Sequence, residues 1–248
     1  MSVANRWERE VLSDNKAGIS QKSTRKAAEI AAIVVLVLLF AGIAVAVKTG
    51  FAAGFEDGVY TGLIGHMSPT LTACMIAVTS LGDTVTVILV CVALIVASVL
   101  LKRGKKTGSV SYLAFFATSV LQSGYALPVC VSTLIAAILN AVLKQAFARP
   151  RPDMLRLITE TGFGFPSGHA MINMALYATI ALLAWRLMRS RKAKVVITVL
   201  LAALVCAIGL SRIYLGVHYA TDVFAGWCLG LAIACAVVLA FDKLRNKT

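Results

Sequence analysis

The stretch 211–222 carries ionisable side chains between two long apolar segments. Charged groups at membrane depth cost roughly 2.5–3.5 kcal/mol each on insertion scales, so they usually mark function. His218 and Asp222 are four residues apart and would share one face of a helix. The carboxylate could then hold one ring nitrogen and leave the other free to react as a nucleophile. A capped helix start with a hydrogen-bonded histidine has the same pattern, so this stretch alone leaves both interpretations open.

A second polar stretch, 144–153, is rich in arginine and proline. Lys144 and Arg151 could converge on one anion, because an ammonium point charge and a planar guanidinium together suit phosphate. A loop that contacts anionic lipid headgroups would have a similar composition, and that alternative stays open. Arg149 and Arg156 are secondary candidates, for a second phosphate or for the headgroup.

The third stretch, 162–169, precedes an apolar run. Ser167 supplies a hydroxyl, and Gly168 lets backbone approach an anion closely. Free N–H groups at the start of a helix favour phosphate. His169 follows in the first turn, where it could donate a proton to a departing oxygen. An ordinary helix cap followed by an incidental histidine is the alternative.

The elements that must position these residues are membrane helices. Of the 248 residues, 59% are hydrophobic, and several apolar runs reach the length of a membrane crossing. The sequence therefore predicts an all-α polytopic membrane protein. Six spans are expected, at 27–48, 84–101, 121–146, 167–186, 195–213 and 219–241. Interfacial helices are expected in the first external loop, within 49–68 and at 69–80, and a lead-in at 109–120.

Positive charge predicts the orientation of these spans. Of the 24 lysine and arginine residues, 18 lie in the N-terminal segment, in the links 102–106 and 186–194, and in the C-terminal tail. Six crossings place these four segments on one side, which is then the cytoplasm. Residues 1–26 and 242–248 are predicted to be cytoplasmic, and 27–241 to form the membrane domain in the cell membrane. The three polar stretches then lie on the extracytoplasmic side.

The membrane also accounts for the net charge of +13, so no nucleic-acid partner is predicted. All six cysteines lie in apolar segments without CxxC spacing, which favours neither a metal site nor disulfides. Asp153 and Glu160 are interpreted as loop solvation or as partners of arginines. No metal or other cofactor is expected, and the oligomeric state is left open.

Taken together, the three stretches resemble the motifs of the type 2 phosphatidic acid phosphatase (PAP2) superfamily of membrane lipid-phosphate phosphatases. The matching residues are Lys144 with Arg151-Pro152, Pro166-Ser167-Gly168-His169, Ser211-Arg212, His218 and Asp222. These motifs span 144–222, and the six-span plan covers nearly the whole chain. Ala220 departs from the pattern, because relatives often have proline there, which should alter loop stiffness more than chemistry. The stretch 107–123 is longer than a compact member would need.

The resemblance implies a role for each matching residue. His218 would attack phosphorus and become a phosphohistidine, and Asp222 would orient it and support its charge. His169 would protonate the leaving oxygen and then activate water. The phosphoryl oxygens would be held by Lys144, Arg151, Arg212, Ser167 and the backbone N–H of Gly168. Members of the family act without a metal ion, which agrees with the predicted cluster of cations.

The expected substrate is a lipid phosphate within the bilayer, cleaved at the outer face. Undecaprenyl diphosphate is preferred slightly by analogy with small six-span relatives, and phosphatidylglycerophosphate or phosphatidate is the alternative. A vanadium haloperoxidase would share the anion pocket, but the chain lacks a large soluble scaffold. A phospholipid or polyprenyl-phosphate transporter would need the cations, yet it would not need a nucleophile, its carboxylate and a separate acid.

Overall fold

The computed structural model describes residues 3–103, 126–154 and 156–245, and within these ranges the ordered elements are helices. The first four are α1 (Val3–Lys48), α2 (Ala53–Ile64), α3 (Pro69–Ser80) and α4 (Thr84–Arg103). The last four are α5 (Ala126–Phe147), α6 (Gly168–Leu187), α7 (Arg191–Tyr214) and α8 (Ala220–Arg245). The predicted lead-in at 109–120 lies outside the described residues, as do residues 121–125 of the predicted third span.

Five helices in the described ranges are each long and apolar enough to cross a membrane, namely the 26–48 part of α1 and helices α5 to α8. Helices α3 and α4 pass the same test as a pair, bent by 42° at a short break. Taken as one span, the pair supplies the sixth crossing. The prediction of an all-α membrane protein with six spans is confirmed, although α3 belongs to the bent pair and is more than an interfacial segment. Helix α1 also includes most of the polar segment 1–26, for which no helix was predicted.

Helices α6 and α8 form the centre of the bundle, with half or more of their apolar windows buried, against 6% for α1. They approach closely because α8 has glycine where they touch. A side chain at Gly230 would place its Cβ only 2.4 Å from the carbonyl oxygen of Met171. Helices α5 and α7 pack on either side of α6, and α1 packs on α8.

At the end of the bundle far from the three polar stretches, Arg186 joins three helices. Its guanidinium lies 3.0 Å from Glu29 on α1 and 2.6 Å from Asp242 on α8. The opposite end of the bundle carries the loop residues 148–154, 156–167 and 215–219 together with α2. The fold thereby brings all three polar stretches to one end.

Candidate active site

His218 and Asp222 are placed together by the first turn of α8. Asp222 Oδ2 accepts the backbone N–H of Tyr219 at 3.0 Å, which caps the helix, and it lies 3.4 Å from Nδ1 of His218. Both side chains are buried, with 2% exposure for His218 and none for Asp222. The predicted i, i+4 contact is therefore present in the structure.

The other ring nitrogen of His218 faces Arg151. Nε2 is 3.2 Å from a terminal nitrogen of the guanidinium. A guanidinium only donates hydrogen bonds, so Nε2 accepts and the proton lies on Nδ1, toward Asp222. This tautomer leaves an electron pair on Nε2, directed at a cation.

Burial lowers the pKa of His218 to about 4, although Asp222 acts in the opposite direction through its hydrogen bond and charge. The nearby charges of Arg151 and Arg212 contribute to the lowering. At neutral pH the imidazole is uncharged, and an uncharged imidazole is the form that can act as a nucleophile.

Arg151 is fixed by the loops on both sides of it. Its guanidinium donates to the carbonyl oxygens of Thr161, Gly162 and Val217, each at 3.0 Å. Lys144, at the end of α5, donates to the carbonyl oxygen of Phe163 at 2.7 Å. These contacts hold two of the predicted anion ligands in place.

Arg212 lies deeper and has a carboxylate partner. One terminal nitrogen donates to Thr79 Oγ1 at 3.0 Å, and the other donates to Glu160. Glu160 is also 3.9 Å from Arg151, so one carboxylate faces two of the predicted phosphate ligands. Burial by itself would raise the pKa of Glu160, but the hydrogen bond and charge of Arg212 outweigh it and lower that pKa. The pairing of Glu160 with arginine, expected from the sequence, is present.

The turn before α6 is held directly to the His218 region. The N–H of Ser167 donates to the carbonyl oxygen of Asp222 at 3.0 Å. Asn140 on α5 donates to the carbonyl oxygen of Pro166 at 3.1 Å, and a Cβ at Gly168 would lie 3.0 Å from its amide oxygen. The hydroxyl of Ser167 is buried and has no hydrogen-bond partner within the described residues. Buried polar atoms are normally paired, so this hydroxyl is suited to a ligand.

His169 meets a carboxylate that had no role in the sequence analysis. Its Nε2 is 2.9 Å from Asp83 Oδ1, in the break between α3 and α4. The break is tied to α6 because Asn173 donates to the carbonyl oxygen of Gly82 at 2.9 Å. Asp83 is the one acidic residue in the largely apolar stretch from 69 to 101. An isolated carboxylate in such a stretch could have indicated a functional residue from the sequence alone.

A cavity of about 590 Å³ connects these groups. Its polar end is lined by Lys144, Arg151, Gly168, His169, Arg212 and His218, with Asn140 and Glu160 beside them. Its apolar end runs between α4 and α5, along side chains that include Val87, Ile88, Ile95, Leu134 and Ala137. Asp222 and Ser167 are absent from the lining, and Asp222 lies behind His218. Most of the predicted site residues therefore share one space.

Arg149 does not face this cavity, contrary to the expectation of a secondary phosphate or headgroup ligand. Its guanidinium lies 2.6 Å from Asp222 and 2.6 Å from Glu56, two carboxylates on different helices. Arg156 is likewise absent from the cavity lining and pairs with Asp153 in the loop at 3.0 Å. Within the described ranges, no group of three or more His, Cys, Asp or Glu side chains is arranged to hold a metal ion.

The fold and site define a polytopic helical membrane protein with a cavity lined by two histidines, two arginines and a lysine. The chain belongs to the PAP2 superfamily, whose model matches residues 125–246. Phosphatidylglycerophosphatase B of Bacillus subtilis is 30% identical over 212 residues, which is 85% of this chain and 95% of that protein. An undecaprenyl-diphosphatase of Sulfolobus acidocaldarius is 35% identical over 106 residues, 40% of this chain and 47% of that protein.

Two solved structures share the fold. The PAP2-type phosphatidylglycerolphosphate phosphatase of Bacillus subtilis has a TM-score of 0.70 at 27% identity, and covers 86% of this chain and 96% of its own. LpxE of Aquifex aeolicus has a TM-score of 0.54 at 20% identity, over 73% of this chain and 93% of its own. The protein is thus a member of a family of membrane lipid phosphatases.

Proposed function

We propose that the protein removes a phosphate from a membrane lipid phosphate through a phosphohistidine on His218, without a metal ion. The single observation that supports this most is the 3.2 Å contact between His218 Nε2 and Arg151, inside the cavity that also contains His169. A pocket that only bound an anion would need the cations, but it would not need an uncharged imidazole among them.

In the first step, the electron pair of His218 Nε2 attacks phosphorus and the bond from phosphorus to the lipid oxygen breaks. His169 gives its proton to that oxygen, so the lipid leaves as an alcohol and not as an alkoxide. The imidazole of His218 gains positive charge, and Asp222 stabilises it from the Nδ1 side.

In the second step, His169 takes a proton from water, and the resulting oxygen attacks the same phosphorus. The bond from phosphorus to nitrogen breaks, which restores the electron pair on His218 and releases inorganic phosphate. Hydrolysis of phosphate monoesters is among the slowest uncatalysed reactions, and a covalent intermediate divides it into two easier steps.

Three cations stabilise the charge on the transferring group in this proposal. Lys144, Arg151 and Arg212 all line the polar end of the cavity. Fixed positive groups aimed at a transferring phosphoryl group can perform the task that Mg²⁺ performs in many phosphotransferases. Ser167 Oγ and the N–H of Gly168 would complete the set at the start of α6.

The apolar end of the cavity supports lateral access of the lipid, with its tails between α4 and α5. From the distribution of positive charge, we place the membrane domain, residues 27–241, in the cell membrane. The polar segment 1–26 and the tail 242–248 then lie on the cytoplasmic side, and the active site lies on the extracytoplasmic side.

As substrate we place phosphatidylglycerophosphate first and undecaprenyl diphosphate second, which reverses the preference drawn from the sequence. The relative matched over nearly the whole chain is a phosphatidylglycerophosphatase, whereas the undecaprenyl-diphosphatase matches over less than half of it.

The test is release of phosphate from each purified lipid in detergent, comparing the wild type, His218→Ala and His66→Ala. His66 is an exposed histidine outside the cavity and serves as the matched control. We expect His66→Ala to equal the wild type and His218→Ala to lose about a thousandfold or more in kcat. Equal release by the wild type and His218→Ala would refute the proposed nucleophile.

A further inference from the structure

Asp222, the carboxylate beside His218, also contacts Arg149, a residue that the proposed mechanism does not use. Asp222 Oδ2 faces His218 and the N–H of Tyr219, while Oδ1 lies 2.6 Å from a terminal nitrogen of Arg149. Arg149 follows Ala148, which has a positive φ of 46° and turns the chain at the end of α5. The guanidinium also stacks over the ring of Tyr219, 4.2 Å from its centroid.

The second carboxylate on Arg149 comes from α2, the helix between α1 and the bent pair α3–α4. Glu56 on α2 lies 2.6 Å from the other terminal nitrogen of Arg149, and only 4% of the residue is exposed. Thr221 closes the network, because its hydroxyl accepts from Arg149 at 2.9 Å and donates to Glu56. A chain of hydrogen bonds thus leads from α2 through Arg149 to the carboxylate behind His218.

The charges of Asp222, Arg149 and Glu56 bear on how well Asp222 can stabilise a positively charged His218. With Arg149 alone beside it, the charge of Asp222 would be neutralised, and little would remain to stabilise a cationic His218. Glu56 adds a second negative charge, so Glu56, Arg149 and Asp222 together carry one net negative charge. That charge matches the single positive charge that the imidazole gains when it is phosphorylated, and burial keeps these interactions strong.

Resting on the proposed function, we infer that Arg149 and Glu56 are positioning residues for the reaction. Arg149 fixes the orientation of the Asp222 carboxylate, and Glu56 offsets the charge of Arg149 so that Asp222 can stabilise the phosphorylated His218. Neither lines the cavity, and both reach His218 through Asp222, so we place them behind the nucleophile and not against the substrate. Helix α2, in the loop after the first span, is therefore part of the catalytic apparatus.

The two residues have opposite charges, so their removal has opposite electrostatic effects on His218. Loss of the Glu56 charge disfavours the imidazolium, and loss of the Arg149 charge favours it. The other ionisable groups near His218 are the same in both variants. The O–H of Tyr60 donates to the His218 carbonyl at 3.2 Å. The remaining groups are Asp222, Arg151, Arg212 and Tyr219. A purely structural contact between α2 and α8 would not produce shifts of opposite sign.

The experiment compares Glu56→Gln, Arg149→Met and Arg149→Lys with Asp57→Asn, an exposed carboxylate next to Glu56 on α2. The pKa of His218 is followed by NMR of protein labelled at its three histidines, with signals assigned from His66→Ala and His218→Ala. We expect Glu56→Gln to lower this pKa and Arg149→Met to raise it, each by about half a unit or more. Asp57→Asn should leave it unchanged.

Kinetics on a soluble phosphomonoester give the second measurement. We expect kcat to fall about ten- to a hundredfold in Glu56→Gln and Arg149→Met, by analogy with the hydrogen-bond partners of metal-binding histidines. KM should stay within about threefold of the wild type. Arg149→Lys should rescue kcat only partly, because an ammonium cannot bridge two carboxylates as a planar guanidinium does. The double variant Glu56→Gln/Arg149→Met should lose less than the two single losses combined.

Three outcomes would overturn the inference. One is an unchanged kcat and an unchanged His218 pKa in both single variants; another is shifts of the same sign. The third is a change in KM alone at Arg149, which would make it a substrate ligand. If Arg149→Met does not fold, the NMR shift and kcat of Glu56→Gln decide. Activity that persists in His218→Ala would instead refute the proposed function, and the NMR titration would still report on the network.

Discussion

Asp83 Oδ1 lies 2.9 Å from Nε2 of His169, although 86 residues separate them in the chain. The contact crosses from the break between α3 and α4 to the first turn of α6. Each of the two histidines in the cavity therefore has its own carboxylate: Asp222 for His218 and Asp83 for His169. A carboxylate on an imidazole orients the ring and supports its protonated form.

Replacement of Asp83 by asparagine should therefore slow the reaction. We expect kcat to fall about ten- to a hundredfold with little change in KM, because proton transfer by His169 loses its oriented, charge-supported ring. Steady-state kinetics on a soluble phosphomonoester measures this, with Asp57→Asn as the control. A kcat equal to that of the wild type would show that Asp83 has no part in proton transfer.

The buried His218 should make stability depend on pH in a defined window. Between pH 6.5 and about 4 the unfolded chain binds a proton at this residue, whereas the folded imidazole, with its pKa of about 4, stays neutral. The unfolded state binds more protons there, so stability falls as pH falls through this window. The contribution is on the order of 3 kcal/mol, since each pKa unit corresponds to about 1.4 kcal/mol.

Thermal unfolding in detergent at pH 7, 5.5 and 4 checks this expectation. The wild type should lose more stability between pH 7 and pH 4 than His218→Asn, because asparagine does not titrate. Identical losses in the two proteins would mean that His218 has the same pKa in the folded and unfolded states.

Glu160 should compete with phosphate for Arg212. Its carboxylate is the partner of Arg212 in the structure, so an incoming phosphoryl group must replace that interaction. In Glu160→Gln we expect inorganic phosphate to inhibit about tenfold more tightly, which corresponds to about 1.4 kcal/mol. Competitive inhibition constants measure the effect. Weaker inhibition would instead indicate that Glu160 holds Arg212 in its productive position.

The proposal that the lipid tails occupy the apolar end of the cavity can be tested by narrowing that end. Ala137 lines the cavity on α5, and its neighbour Ile138 is exposed and does not line it. We expect Ala137→Phe to reduce kcat/KM for a long-chain lipid phosphate about tenfold or more, because a bulky side chain excludes the tails. The same variant should cleave a soluble phosphomonoester normally.

Ile138→Phe is the matched control, and it should act on both substrates as the wild type does. If Ala137→Phe cleaves the lipid as fast as the wild type, the tails do not use the space between α4 and α5. If it loses activity on both substrates equally, the substitution has damaged the site itself.

Within each polar stretch, the site residues that the sequence predicted are close together in the chain. His218 and Asp222 are one helical turn apart, and Ser167, Gly168 and His169 are consecutive, so local geometry alone brings each group together. Most spans were equally predictable, because an apolar run of the right length has few other uses, but α3 was predicted as interfacial and belongs to the bent pair. Helix α7, for example, begins four residues before its predicted start and ends one residue beyond its predicted end.

The residues that the sequence did not predict act over long separations. Glu56 reaches Arg149 across 93 positions, and Asp83 reaches His169 across 86. No periodicity connects such pairs, because tertiary packing of α2 and of the α3–α4 break brings them together. Arg149 was assigned to the substrate for the same reason: its charge was visible in the sequence, but the two carboxylates that engage it were not.

The bent pair α3–α4 contributes to the site in two ways. Helix α4 lines the apolar end of the cavity, and the break between the helices carries Asp83. Helix α4 therefore connects the space proposed for the lipid tails with the carboxylate that contacts His169. We expect the chain length of the lipid to affect kcat as well as KM, because a tail that fills the cavity contacts α4, which begins directly after Asp83. Truncated lipids should then be slow substrates even at saturation.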